Sequence, residues 1–292
     1  MSNTIAGVSL GLIAQESLSH LASVFSPLRG VITDLSPEVV RGGTTIATRI
    51  PTKPTAGELT SYTPSAVTLT PVSLTLPANP VGYVASFSDA ERSRSAVNLD
   101  QLFVAPLVEA VGDHLFAAIW NVVTAANFAT STTITASNYD RSDLADIGAT
   151  LTGLGAPKTG RSVWCNSGHF AALVKSLNSA EYVGNDANKS EGLVPRTAGF
   201  DVYEQSGADA NAENLAAFAF HKSAIVMAAR GIDATGAGTA GVELLDIEIP
   251  GLGIPVQFRR WYNADAGGLR ISAALNYVVG KGTGMGVRIV TA

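Results

Sequence analysis

Residues 98–126, NLDQLFVAPLVEAVGDHLFAAIWNVVTAA, limit the choice of fold more than any other stretch. Leu99, Leu102, Phe103, Leu107, Val111, Leu115, Ala118, Ile119, Val122 and Ala126 recur at three- and four-residue steps. That spacing gathers them on one broad helical stripe, which must be buried against something of similar length. Asn98 or Asp100 is placed to cap the start, accepting from N–H groups that the first turn leaves unpaired. Pro106 lacks an N–H and crowds the preceding turn, so it marks either a kink or the true start. From Pro106 to Ala126 a helix spans about 30 Å at ~1.5 Å per residue, enough to be the backbone of a domain.

The 292 residues suit one large domain or two small ones, with a sizeable core. A freely soluble monomer carries about 25% charged residues. Here 15% are charged, 46% are apolar and 29 residues are glycine. Either other copies of the chain cover much of the surface, or the genome is rich in alanine and glycine. The net charge of −5 sits in residues 1–150, with 7 basic and 12 acidic side chains; residues 151–292 balance at 12 and 12. A tight nucleic-acid binder needs a basic stripe to neutralise phosphates. The pairs Arg92/Arg94 and Arg259/Arg260 read instead as ion-pair partners. A single cysteine, Cys165, allows no intrachain disulfide and fits a reducing compartment. The first 25 residues lack signal-peptide features, and no run of 18 apolar residues predicts a membrane span.

Residues 1–30 read as an arm. Leu12, Ile13, Leu18, Leu21, Val24 and Phe25 suit a short amphipathic helix ended by Pro27, and so apolar an arm needs a partner surface, in its own chain or in a neighbour. Residues 44–76 contain TTIATRIP and AVTLTPVSLTLP, β-branched runs with period-two alternation. Ile46 and Ile50 share a face, as do Val67 and Leu69; Val72, Leu74 and Leu76 are out of phase with the latter. Pro71 sits at the slip, which predicts a bulge or an edge position. PTKPTAGELTSYTP joins the two runs, giving a long hairpin. Each arm of ~8–10 residues reaches roughly 30 Å at ~3.3 Å per residue. An isolated ribbon is marginal in water, so a second body must support it.

Further on, 130–136 reads as a strand and 138–152 as a helix capped near Asn138 or Asp140, stopped by GLGAP. Residues 161–165 form a short buried strand, then 167–177 a helix capped by Asn166 or Ser167. Residues 178–198 read as loop and 199–204 as strand, with Phe200 and Val202 on one face. In 215–230, AAFAF is a strand and SAIVMAAR a strand or short helix. Residues 242–249, 254–262, 269–279 and 287–290 are strand-like. This irregular interleaving predicts the α+β class.

Several motifs imitate chemistry. GAGTAG at 236–241 fits G-x-G-x-x-G, but a dinucleotide site needs a helix next and VELLDIEIP reads as strand. GVSLG at 7–11 fits a nucleophile elbow around Ser9 without a core strand before it. Cys165 and His169 supply two metal ligands where zinc takes three or four. They also form a conceivable Cys–His nucleophile pair, although Cys165 ends an apolar strand and suits a core position. His114 lies beside the helical stripe and reads as packed or hydrogen-bonded; His20 and His221 are scattered. Asp140, Asp143 and Asp146 share a helix face and offer a Mg²⁺ or Ca²⁺ site, or simply a solvated first turn. The sequence predicts no cofactor and no enzyme.

Ordered wording carries a resemblance that no single motif does. After the arm, the hairpin and the helix come RSVWCN (161–166), HFAALVKSL, GLVPRTAGFDVYEQS (192–206), AFAFHKSAIVMAAR (217–230) and IPVQFRRWYNADAGGLRISAALNYVVG near the end. The chain resembles, over nearly its whole length, the major capsid proteins of tailed double-stranded DNA phages with the Hong Kong 97-type fold. The resemblance implies an N-terminal arm at 1–43 and an extended hairpin at 44–78. It implies a peripheral domain at 79–138 and 250–292 with a spine helix at 102–126, and an axial domain at 139–249. It implies hexamers and pentamers that tile an icosahedral shell around phage DNA, without sequence-specific binding and without a membrane. Lys53, Glu58, Leu59 and Tyr62 of the hairpin and Phe25 of the arm become the expected intersubunit contacts. Lys53 is the residue available for crosslinking, although nothing marks its partner. Portal protein, and scaffolding or decoration proteins, are the implied partners, with scaffolding supplied separately if at all. Assembly is expected in the bacterial host cytoplasm and the mature location in the virion. Two other readings stand beside this one: an encapsulin-type shell holding cargo enzyme, and a hydrolase using Cys165/His169 or Ser9.

Overall fold

The computed structural model describes residues 17–18, 20–30, 32–34, 45–51, 69–95, 103–177, 196–232, 241–249, 251–265 and 267–291. The strands are β1 (Ile32–Asp34), β2 (Thr45–Pro51), β3 (Leu69–Thr75), β4 (Val81–Ser88), β5 (Ser131–Thr133), β6 (Arg161–Cys165), β7 (Phe200–Glu204), β8 (Leu215–His221), β9 (Ile225–Arg230), β10 (Val242–Glu248), β11 (Pro255–Asn263), β12 (Gly268–Lys281) and β13 (Gly286–Val290). The helices are α1 (Asp89–Arg94), α2 (Val104–Val122), α3 (Arg141–Gly153) and α4 (Ser167–Ser176). Residues 20–24 are also helical, and short 3-10 turns include Ser26–Gly30, Ala136–Asn138, Ala208–Asn211 and Lys222–Ala224. The α+β class holds, and 225–230 takes the strand alternative.

The long helix α2 is shorter at both ends than the stripe predicts. Its N-cap is Phe103, without a side-chain cap bond; Asn98 and Asp100 lie outside the described residues. Pro106 falls in the first turn, where N–H groups have no intrahelical acceptor, so it is part of the start and not a kink. The helix stops at Val122, four residues short of Ala126. Thr124 donates its backbone N–H to Val122, and the Asn127 amide reaches the same carbonyl at 2.8 Å. Val122, Val123 and Thr124 are β-branched, which weakens helix at this point.

Leu107, Val108, Val111, Leu115, Phe116, Ile119 and Trp120 of α2 are buried. They face Ala85 and Phe87 of β4, Val256 and Phe258 of β11, and Ile271, Ala273 and Leu275 of β12. The expected contact between the helix and the closing strands is therefore present. The arm packs here too. Leu21, Phe25 and Leu28 join this core, Phe25 stacks on Phe116 at 6.4 Å, and Val24 fills the space a side chain at Gly112 would need.

Two sheets flank α2. The first has the order β1-β9-β12-β11-β10, with β4 also on β12. One of its faces meets α2. The hairpin base lies on the other, where Ile46, Val72, Leu74 and Leu76 meet Val226, Ala228 and Val278. Gly280 has no room for a Cβ because Leu74 covers it. β2 and β3 pair without a break from Thr45↔Thr75 to Pro51↔Leu69. Pro71 sits opposite Arg49 in regular register, so the edge alternative holds and the bulge does not. The first body supporting the hairpin is thus its own chain.

The second sheet has the order β5-β13-β8-β6-β7. β6 and β8 are buried on both faces. Val163, Cys165, Ala217 and Ala219 point to Leu144, Ile147 and Leu151 of α3 and Leu173 of α4. Trp164, Phe218 and Phe220 point to α2, where Trp164 meets Phe116 at 5.5 Å and Trp120 at 5.6 Å, both edge-on. Strand pairing does not follow boundaries at 138/139 and 249/250. β9 and β10 pair with β12 and β11, while β5 and β13 share a sheet with β6, β7 and β8.

Candidate assembly surface

The residues that imitate catalysis serve structure. Cys165 is fully buried, its Sγ lies 3.6 Å from the Tyr139 hydroxyl, and burial pushes its thiol up to about 12. A thiol held there is not ionised near neutral pH and is a poor nucleophile. His169 is buried beside it and bonds Asn166 and the Ile134 carbonyl, not Cys165. Asp140 caps α3: its carboxylate accepts from the backbone of Ser142 at 2.7 Å and of Asp143 at 3.2 Å. Asp143 returns the bond to the Asp140 N–H at 2.9 Å, completing a capping box. These bonds hold the Asp140 carboxyl below its ordinary value, the Ser142 side chain contributing most. Among the described residues no cluster of three or more His, Cys, Asp or Glu has metal-site geometry. GVSLG, with Ser9, lies outside the described residues, and GAGTAG is described only at Gly241, which opens strand β10 rather than a helix.

The expected contact residues divide. Lys53, Glu58, Leu59 and Tyr62 lie outside the described residues, between β2 and β3. Phe25 is 1% exposed and packs in its own chain's core, where the apolar arm meets α2. Leu18, by contrast, is exposed.

The exposed apolar surface gathers elsewhere. Tyr83 is 59% and Val84 51% exposed, consecutive on β4, so they project from opposite faces of that strand. Among the described residues β4 pairs on one side only, with β12, and VGYVASFS carries no charge. Edge strands usually carry charges that discourage pairing; Glu243, Asp246 and Glu248 on β10 do so here. Beside β4 a trough of about 280 Å³ is lined by Val84, Ser272, Gln257, Arg259 and Trp261. Arg259 donates to Gln257 at 2.6 Å, while Arg260 on the opposite face approaches Glu243 at 3.4 Å. Of that pair, Arg260 is the ion-pair partner the sequence predicts. His114 is hydrogen-bonded as expected, its Nδ1 2.7 Å from the Tyr277 hydroxyl.

Sequence reasoning missed two buried arginines. Arg161 is enclosed by the carbonyls of Pro157, Gly148 and Ala156 at 2.7–2.8 Å and the Thr152 hydroxyl at 2.9 Å. It closes the C-terminus of α3, where the helix dipole favours a cation. Arg288 donates to the Phe128 carbonyl at 2.8 Å and to Glu213 at 2.9 Å, and Glu213 also accepts the Ala125 N–H at 2.7 Å. Together they pin the segment that leaves α2. Neither has a sequence signature beyond an arginine in an otherwise largely apolar strand.

A hairpin set on a sheet, one long central helix and a second sheet docked on its far end make up a fold that solved phage capsid structures share. A chain of Mycobacterium phage Che8 matches with a TM-score of 0.60 at 18% identity, over 91% of this chain and 90% of that one. The Cyanophage Pam1 capsid matches at 0.59 and 13% identity, over 99% and 95%. The capsid of Cyanophage P-SCSP1u matches at 0.58 and 10%, over 90% and 86%. No protein-family model and no curated protein matches the sequence.

Proposed function

We propose that this chain is the major capsid protein of a tailed double-stranded DNA phage, assembling as hexamers and pentamers into the icosahedral shell. One observation carries the reading: the fold agrees with phage capsid chains over nearly the full length of both partners. The buried thiol of Cys165 and the capping role of Asp140 support a structural role rather than catalysis. In this reading the sheet bearing the hairpin and the sheet bearing α3 and α4 are the peripheral and axial lobes, hinged on α2. The hairpin tip, with Lys53, Glu58, Leu59 and Tyr62, reaches a neighbouring subunit. Portal protein is the expected heterologous partner, scaffolding and decoration proteins are further candidates, and assembly takes place in the host cytoplasm.

Light scattering on the purified protein tests this. The expected mass is that of a closed shell or of capsomers. A subunit-sized species under every salt and pH condition overturns the proposal. Shells that load a neighbouring enzyme through a peptide, in place of DNA, convert it to a cargo compartment.

A further inference from the structure

The arm has a direction. Gly30 lies against Ser162 and Tyr203 of the second sheet, Phe25 stacks on Phe116, and Val24 fills the space beside Gly112, one turn nearer the start of α2. Followed back from Gly30, the chain therefore runs along α2 towards its N-terminal end. At that end Phe103 meets Phe87 of β4 at 4.8 Å. Sixteen residues precede Ser17 on this course, MSNTIAGVSLGLIAQE. Ala6, Val8, Leu10 and Leu12 alternate with Gly7, Ser9 and Gly11, so a strand here has one apolar face and one face of small residues. No side chain before Glu16 is charged.

β4 offers the surface such a segment needs. Its outer edge has no strand partner among the described residues, and VGYVASFS carries no charge. Unpaired N–H and C=O groups along an edge are a template for another strand. Ala85 and Phe87 of β4 are buried in the core that α2 covers. Tyr83 alternates onto the same face and is exposed, so the cover stops short of it. The opposite edge of this sheet, β10, carries Glu243, Asp246 and Glu248, which discourage pairing there.

We propose that residues 6–12 of the same chain add a strand to the outer edge of β4, parallel to it, with Leu12 towards Phe87 and Ala6 towards Val81. Residues 13–16 link this strand to Ser17 and span at most ~13 Å at ~3.3 Å per residue. The segment 6–12 is one residue shorter than the eight of β4, so the two match in length. Ala6, Val8, Leu10 and Leu12 extend the apolar face that α2 covers and bury the Tyr83 ring. Gly7, Ser9 and Gly11 lie on the other face, beside Val84. Two glycines weaken a strand that stands alone, so this one depends on the edge it joins. The contact closes within one subunit and holds whether or not shells form.

Cysteine scanning of the full chain tests the strand and its origin. Ala6→Cys, Val8→Cys and Leu10→Cys form one set, Gly7→Cys, Ser9→Cys and Gly11→Cys the other, each combined with Tyr83→Cys. The one native thiol, Cys165, is buried. After mild oxidation, non-reducing electrophoresis and peptide mass spectrometry should show an intrachain disulfide at subunit mass, several-fold more abundant from the first set. With Val84→Cys in place of Tyr83→Cys the preference should invert, which keeps the test open if Tyr83→Cys disturbs the fold. Equal yields from both sets, as from an arm that only brushes the edge, overturn the proposal. So does the absence of any disulfide, or a product of dimer mass, which assigns the edge to a neighbouring copy. In the unmodified protein, hydrogen exchange should be slowed across 6–12 as it is in β4; exchange at the rate of an unstructured chain overturns the proposal as well.

Discussion

Arg161 shows how one residue fixes a piece of this fold. Its guanidinium answers four oxygens behind α3, and burial lowers its affinity for its own proton without neutralising it. Arg161→Ala strands those acceptors and should cost about 2–3 kcal/mol, measured by urea unfolding. Arg161→Lys should recover little, since an ammonium lacks the planar fork. His221 gives the pH dependence a sign. Burial first, then Lys222 and Arg161, lower its proton affinity, and its Nδ1 accepts the Ser223 N–H at 3.3 Å. The native state thus keeps it neutral where the unfolded chain, near the ordinary value of about 6.5, takes up a proton. Its contribution is present above that pH and is lost as pH falls below it. Urea midpoints measured down from pH ~7 should fall less steeply in His221→Gln than in the parent. At this scale the sequence was readable where a rule is local. The caps Asp140 and Asn166 stand beside the turns they serve. Arg161 was not readable, because its four acceptors meet it only after α3 has packed on β6.

Among elements, α2 was legible as a stripe and its ends were not. The stripe follows from spacing, but the stop at Val122 depends on Asn127, Glu213 and Arg288, the last two remote in sequence. Leu115 is wholly buried at the middle of the helix. Leu115→Asp sets an unpaired carboxylate there and should cost more than about 4 kcal/mol, enough to leave the chain insoluble or unfolded by circular dichroism. The arm's need for a partner was legible, but not which partner. Its apolar face does need a partner, but periodicity cannot say whether that partner is its own chain or a neighbour. Gly112, a gap in the stripe, is the mark of the arm's seat. The hairpin's alternation was legible; the out-of-phase Val72, Leu74 and Leu76 proved to be the face that meets β9 and β12.

At the scale of the whole molecule, the fold came through from the order of segments, while the partition between sheets did not. β9 and β10 read as neighbours of β8 along the chain, yet they complete the sheet that holds the hairpin. Such long-range pairing leaves no local trace. The assembly account makes the hairpin tip dispensable for folding and necessary for closure. Replacing 52–68 by a two-residue turn should leave the unfolding free energy unchanged within about 0.5 kcal/mol and abolish closed shells. Normal shells from that variant would remove the intersubunit role of the tip. The most direct test of the central claim is a negative-stain electron micrograph of the expressed, unmodified protein. Uniform closed shells, or the hexamers and pentamers that build them, are the predicted result. A field without particles, from folded protein at every salt and pH tried, would contradict the account.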